Sequence, residues 1–406
     1  MDLMTLVTLA GLFVGVVVGN AALLGDSFYV SLAVPKTVAE AGLDSANAER
    51  LFAARVGWYA RLDSVVPTPT VRVGSTPDMA TALAAPLGMQ GVVRAAQAQL
   101  RHDLVTADGA IMTQSGSKAL MLDMVVRNPP YAPAAIELTQ PDGDAKALIH
   151  TAAREAMLRI APYRVALSDA ADILSGDEAA ADRTRKTALR VLNFQRRPSS
   201  DAQTEVALLN NLLAVLAIRD GDVAEARRRL GSVDTIPDAD PAARGLASVN
   251  RAFLALTEKA PNDAERHLRE GERLLGSVQP EWLSARVKVM DALVQWAKGR
   301  KTEAEALLRE VIAVSSLQIE PRVYLAKLHA ARGDAAGAAR EMAVVPTLHM
   351  FDVPYPGMAH MIVALDPETG KIDKAAFVMD QAAASAPTAV AAAKPAADKP
   401  AGADKK

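Results

Sequence analysis

The sequence predicts a mainly α chain in four parts. These are an N-terminal transmembrane helix, a small α+β domain, an α-solenoid of paired helices, and a disordered C-terminal tail. Three observations carry this prediction. An uncharged apolar run stands near the start. Short strand-like stretches broken by Gly and Pro follow it. From about residue 149 the signal is helical, and small residues recur at a constant spacing.

The first part spans residues 1–26. From Leu3 to Gly25 there is no charged side chain over 23 residues. As a helix that run is about 34 Å long, enough to cross a hydrocarbon core of about 30 Å. The segment before it is Met1-Asp2, without Lys or Arg, and the run is longer than a usual signal core. Both points favour a retained anchor, although Gly19-Asn20-Ala21 has the small residues of a cleavage site. Gly11, Gly15 and Gly19 recur at four-residue intervals. That stripe lets a second membrane helix approach closely, so helix–helix association through the anchor is expected.

The second part, residues 27–148, reads as α+β. Phe28–Val34 is strand-like and ends at Pro35, and Thr37–Val66 is mainly helical. Thr70–Val73 is a short strand. Thr76-Pro77 opens a helix as cap and first-turn residue, and a second helix runs from about Met89 to Leu100. Three strand candidates follow at Asp103–Thr106, Lys118–Arg127 and Ala134–Thr139, with Gly109 and Gly116 expected in turns. Sheet plus helices makes one small layered domain.

The third part, residues 149–346, repeats itself. Ala214 and Ala226 are twelve residues apart, as are Ala252 and Ala264, Ala292 and Ala304, and Ala326 and Ala338. Four residues after each second Ala stands a large apolar residue: Leu230, Leu268, Leu308 and Met342. Between the Ala columns lies a breaker: Asp220-Gly221-Asp222, Lys259-Ala260-Pro261-Asn262, Gly299-Arg300-Lys301-Thr302, and Gly333-Asp334. Successive periods are 38, 40 and 34 residues. Two antiparallel helices joined by a tight turn approach closely where both carry small residues. Each pair leaves a face uncovered, so pairs stack into a superhelix. The pattern resembles the tetratricopeptide repeat (TPR) family over about residues 200–346, although most of that family's first-helix aromatics are missing. The layout as a whole, with FYVSLAVPKTVAEAGL near the start and AAREAMLRIAPYRVALSDAA at 152–171, resembles proteobacterial proteins with one membrane helix and periplasmic TPRs. That resemblance implies a bacterial inner-membrane protein, single-pass, with its bulk in the periplasm.

The TPR resemblance also implies a concave face lined by the first helix of each pair. The positions are Asn211, Val215 and Ile218; Val249, Phe253 and Leu256; Val289, Leu293 and Trp296; and Val323, Lys327 and Ala330. They are mostly apolar and lack the Lys/Asn pattern that clamps a terminal carboxylate. Such a groove suits an amphipathic helix or an apolar peptide segment of a protein partner. Two other occupants stay open: the chain's own residues 347–383, or simple interior packing of a short solenoid.

Residues 347–372 hold Pro354, Pro356, Pro367 and Gly370 and read as irregular. Ile372 to about Ala383 reads as a last, capping helix. Residues 384–406 are Ala, Pro, Lys and Asp with almost nothing large to bury, hence disordered.

Composition removes several chemistries. There is no cysteine, so disulfides, thiolate metal sites and a Cys nucleophile are excluded. Net charge is −2 and the Arg clusters at 183–186, 196–197 and 227–229 lack interleaved aromatics, so no nucleic-acid partner is expected. Ser115-Gly116-Ser117-Lys118 has the S-x-x-K spacing without its partner motifs and reads as a hairpin turn. His349, Met350, Met358, His360 and Met361 could suit Cu(I), but Met also fills irregular gaps in cores. Thr369-Gly370-Lys371 lacks the first Gly of a phosphate loop and reads as a turn. No catalytic residue, cofactor or metal is expected. The reading is a membrane-anchored TPR scaffold or adaptor for protein partners in a cell-envelope complex. Its rivals are a sensory or regulatory protein whose α+β domain receives a signal, and an enzyme using that domain. A well-formed polar pocket would favour the rivals.

Overall fold

The computed structural model describes residues 27–62, 70–73, 105–113, 116–129, 131–174, 176–194, 200–276, 281–314, 318–348 and 362–377. The apolar run Leu3–Gly25 with its Gly11/Gly15/Gly19 stripe, the helices expected after Thr76 and Met89, the His/Met cluster at 349–361 and the tail lie outside these residues. Among the described residues no helix is long and apolar enough to cross a membrane.

Alternation builds the sheet. β1 (Ser27–Ala33), β2 (Thr70–Val73), β3 (Val105–Thr113), β4 (Leu120–Arg127) and β5 (Ala134–Gln140) form one five-stranded sheet in the order β2-β1-β3-β4-β5. β1 is parallel to both β2 and β3, and β3, β4 and β5 are antiparallel neighbours. Phe28, Val30 and Leu32, then Leu120, Leu122, Met124 and Val126, point to one buried face, while Asp123, Val125 and Arg127 face outward. The sequence expected Gly109 in a turn, but it lies inside β3. A Cβ there would come 2.8 Å from the Asp123 carbonyl, so glycine lets β3 and β4 close up. Gly116, with φ of +75°, does turn the chain between them.

The helices α1 (Lys36–Ala39) and α2 (Ser45–Ala60) replace the single helical stretch expected from Thr37 to Val66. They are separated at Gly42, whose φ is +97°, and Asp44 then caps α2 by accepting from Asn47 N. α2 and α3 (Ala145–Ile160) pack on the sheet's buried face and on each other. α4 (Pro162–Leu174) continues from α3. Its buried Arg164 donates to the Ala60 carbonyl at 2.8 Å and to that of Leu62, satisfying carbonyls at the end of α2. Asn128 Nδ2 donates to the Arg159 carbonyl at 2.8 Å. The sheet region and the helical region therefore share one continuous core.

From α4 onward the helices pair: α4 with α5 (Glu178–Phe194), α6 (Ser200–Asp220) with α7 (Val223–Asp234), α8 (Pro241–Thr257) with α9 (Pro261–Leu275), α10 (Glu281–Ala297) with α11 (Lys301–Val314), and α12 (Ile319–Ala331) with α13 (Ala335–Leu348). The last four pairs turn in the same way. Gly221, Lys259, Gly299 and Gly333 each take a left-handed φ, between +59° and +82°. The next residue's N–H bonds five residues back: Asp222 to Ala217, Ala260 to Ala255, Arg300 to Gln295 and Asp334 to His329. Lys259 is the one non-glycine with positive φ among the described residues.

Ala214, Ala226, Ala252, Ala264, Ala292 and Ala304 are fully buried, and Ala326 nearly so. In α8 and α9 the approach is close: a Cβ on Gly245 would come 2.6 Å from Leu275, and the Gly271 carbonyl lies 3.2 Å from the same point. Leu230, Leu268 and Leu308 are buried one turn later, as expected for residues that fill the gap to the next pair. The fourth pair departs from this pattern. Ala338 is half-buried and Met342 is 39% exposed; among the described residues no further pair packs on α13.

An Ala304→Leu variant tests the register, since it puts a larger side chain at a fully buried position of α11. We expect it to lower the unfolding free energy by about 1–3 kcal/mol in urea denaturation. A midpoint unchanged from the unmodified chain would mean that Ala304 is not closely packed there.

Candidate functional site

The expected groove positions are not open. Asn211, Val215, Ile218, Val249, Phe253, Leu256, Val289, Leu293 and Trp296 are all buried, none more than 4% exposed. Of the three further positions, Val323 is buried, Lys327 is half-buried and Ala330 is exposed. The reason is direct contact between first helices: α6 packs on α8, and α8 on α10. Polar side chains bridge the same layer. Asn250 Nδ2 donates to Asn211 Oδ1 at 3.0 Å, and Asn211 Nδ2 donates to the Ala243 carbonyl at 3.1 Å. The Arg286 guanidinium lies over the Phe253 ring, 5.4 Å from its centroid, and is ion-paired with buried Glu320 of α12. An apolar slot waiting for a partner is therefore not what these nine residues form.

A peptide does lie across the stack, and it belongs to the chain itself. Residues 362–377 form a hairpin of β6 (Ala364–Leu365) and β7 (Ile372–Asp373), closed by a turn at Asp366–Gly370. Ile372–Asp373 is thus a strand, where the sequence suggested the start of a capping helix. Asp366 organises the turn by accepting from Glu368 N, Thr369 N and Thr369 Oγ1. The Thr369-Gly370-Lys371 segment is accounted for by this turn. Gly370 has φ of +71°, and a Cβ there would sit 2.6 Å from the Thr257 carbonyl at the end of α8.

The hairpin reaches each of the last four pairs. Lys374 faces Asp220 of α6, Gly370 abuts α8, Glu368 pairs with Lys301 of α11, and Asp373 pairs with Lys327 of α12. Tyr324 accepts from Leu365 N at 3.3 Å and meets the Phe377 ring edge-on at 6.4 Å. Ile362, Val363, Leu365 and Phe377 are buried. Burial of such side chains is worth about 1.5–3 kcal/mol each, whereas partly exposed ion pairs give about 0–1. Apolar contact therefore holds the hairpin, and the ion pairs set its position. Burial pushes the Tyr324 phenol up to about 12, with nearby Arg286 opposing that shift.

A second concave feature lies at the other end of the stack. A cavity of about 530 Å³ opens between α2, α3, α4 and α5. Its lining includes Arg55, Trp58 and Tyr59 of α2, Arg154 of α3, Asp169 and Asp172 of α4, and Arg183, Lys186 and Thr187 of α5. Asp169 Oδ2 accepts from Arg154 at 2.8 Å and from Thr187 Oγ1 at 2.7 Å. Arg183 bridges Asp172 at 3.1 Å and Asp177 at 2.8 Å. Burial raises the Asp172 carboxyl, against the pull of Arg183. Burial also raises the Tyr59 phenol. The sequence does not reveal this pocket: Arg183 and Lys186 stand out there only as part of a basic cluster without interleaved aromatics. A local signal existed: Arg55, Trp58 and Tyr59 at i, i+3, i+4, Asp169 and Asp172 at i, i+3, and Arg183, Lys186 and Thr187 at i, i+3, i+4 each share one helix face. Nothing local says that the faces converge.

The S-x-x-K stretch sits between β3 and β4, where Ser117 Oγ accepts from Ala119 N at 3.0 Å. Among the described residues no group of three metal-ligating side chains comes together. No protein-family model and no curated protein matches this sequence. The TPR resemblance therefore rests on the spacing of residues and on a paired-helix stack that is compatible with it.

Two outcomes test the hairpin. Gly370→Ala combines a disfavoured φ with a clash against Thr257. Limited proteolysis should then cut within 362–377 at least about tenfold faster, the factor for about 1.4 kcal/mol of local destabilisation. Equal cleavage would mean that the hairpin does not dock through Gly370. The Tyr324 shift gives a pH test. Its folded pKa lies above the ordinary value of 10.0, so its contribution is complete below pH 10 and is lost as pH rises towards about 12. A Tyr324→Phe variant should show a shallower alkaline decline in melting temperature over that range than the unmodified chain; identical slopes would refute the buried phenol.

Proposed function

We propose that this chain is a membrane-anchored, TPR-like scaffold or adaptor that holds protein partners within a bacterial cell-envelope complex. One observation carries the reading: the helix stack already holds a peptide, its own residues 362–377, by buried apolar side chains and by ion pairs to successive helix pairs. A partner would present the same chemistry, a short apolar segment flanked by carboxylates opposite Lys301 and Lys327, and would take the hairpin's place. The anchor reading of Leu3–Gly25 supplies the membrane, and the layout resemblance supplies the periplasmic side.

The polar pocket favours a second reading, in which the sheet region and first helix pair receive a chemical signal. The pocket joins the two regions, with walls from α2 on one side and α4 and α5 on the other.

Crosslinking and pull-down from intact membranes tests the scaffold. Comparing the unmodified chain with Gly370→Ala, we expect more of a specific partner to be captured once the hairpin is loosened. Equal capture would move the partner surface elsewhere, and absence of any specific partner from both chains would end the scaffold reading.

A further inference from the structure

Two of the cations that line the pocket between α2, α3, α4 and α5 are not matched by a carboxylate. Among the described residues, four cations line it, Arg55, Arg154, Arg183 and Lys186, against two carboxylates, Asp169 and Asp172. Arg154 is matched by Asp169 and also lies 3.8 Å from Glu155, and Arg183 is matched by Asp172 and Asp177. Among the described residues, Arg55 and Lys186 have no carboxylate within ion-pair distance. They stand on different walls, Arg55 on α2 and Lys186 on α5. Two of the four lining cations are therefore without an ion-pair partner among the described residues.

Arg55 is held in an unusual way. Its guanidinium lies 4.7 Å from the centroid of Trp58 and 5.1 Å from that of Tyr59. Ring faces attract the cation without a directed acceptor, and the Tyr59 hydroxyl also accepts a hydrogen bond from the guanidinium. Its Nε is buried and has no hydrogen-bond partner. A buried, unmatched donor on a charged group is costly, and an anion in the pocket would remove that cost. The paired residues are held by other contacts, so they form fixed walls. Thr187 and Arg154 hold Asp169, and Asp177 shares Arg183 with Asp172. The volume is in the range that takes a small organic molecule.

We infer that this pocket binds a small organic dianion of the phosphate-monoester or dicarboxylate type, with Arg55 and Lys186 as its counter-charges. Arg55 offers a planar fork to one acid group, and Lys186 a mobile point charge from the opposite wall. Trp58 and Tyr59 give the ligand's carbon skeleton an apolar side. The site supplies the ligand that the second reading needs, and it stands whether or not the helix stack binds a partner.

The test is calorimetric titration of the full-length protein in detergent with phenyl phosphate, succinate and benzoate. We expect one of the two dianions to bind at one site per chain, at least tenfold more tightly than monoanionic benzoate, and more weakly as salt is raised. Preference between phenyl phosphate and succinate distinguishes the two ligand types. Arg55→Gln and Lys186→Gln should each weaken binding at least tenfold. Arg227→Gln, on the exposed face of α7, should leave it unchanged. Helix content by circular dichroism checks that the variants fold, and a ligand-induced rise in melting temperature, present in the unmodified chain and absent from the double variant, gives a second reading of the site. No dianion binding at millimolar concentration, or equal binding by the Arg55→Gln/Lys186→Gln double variant, overturns the proposal. Binding that leaves cleavage of the 362–377 hairpin unchanged keeps the site and removes the second functional reading.

Discussion

Two helices can lie close only where neither puts a side chain between them, and the whole stack depends on that condition. Ala226, Ala264 and Ala304 meet it at the fourth residue of each second helix, and Gly245 and Gly271 meet it where α8 and α9 cross. The left-handed residue in each turn sets the reversal that brings these positions together. Close packing then leaves each pair with an apolar flank, and Leu230, Leu268 and Leu308 carry it into the neighbour. At the last described pair Met342 faces outward, with no further described pair to receive it.

Close stacking has a consequence for the inner layer. First helices that touch one another bury their facing side chains, polar ones included. The chain meets the hydrogen-bond demand from within: Asn250 with Asn211, and Arg286 with Glu320 under cover of Phe253. A buried ion pair of this kind contributes little net stability, but removing one partner leaves an isolated charge and is costly. The pair therefore ties α10 to α12 in one arrangement. The surface left for peptide contact moves to the ends of the first helices, where the 362–377 hairpin lies.

The seam between sheet and stack is polar at its rim and apolar at its centre. Arg164 reaches from α4 to the last carbonyls of α2, and the α3 helix covers the sheet while leading into the stack. The pocket at this seam is lined by residues of both regions. Anything bound there touches both regions at once.

Much of this was legible in the sequence, and the reason is local. A helix pair is specified by residues within forty positions of one another, so the Ala columns, the breakers and the bulky residue one turn later show in the linear order. The strands of the sheet show for the same reason, since alternation at Phe28–Leu32 or Leu120–Val126 needs only neighbouring residues. Gly109 was misread because its role depends on Asp123 across the sheet, not on its neighbours. The groove positions were read correctly as apolar, but only the contact of α6, α8 and α10 decided that they are interior. The hairpin at 362–377 is held by residues from Asp220 to Lys327, too distant for any sequence pattern to signal. The pocket joins Arg55 to Lys186 across 131 positions. Local spacing determined which faces each helix presents; tertiary packing alone decided which faces meet, because charge and shape complementarity act through space and not along the chain.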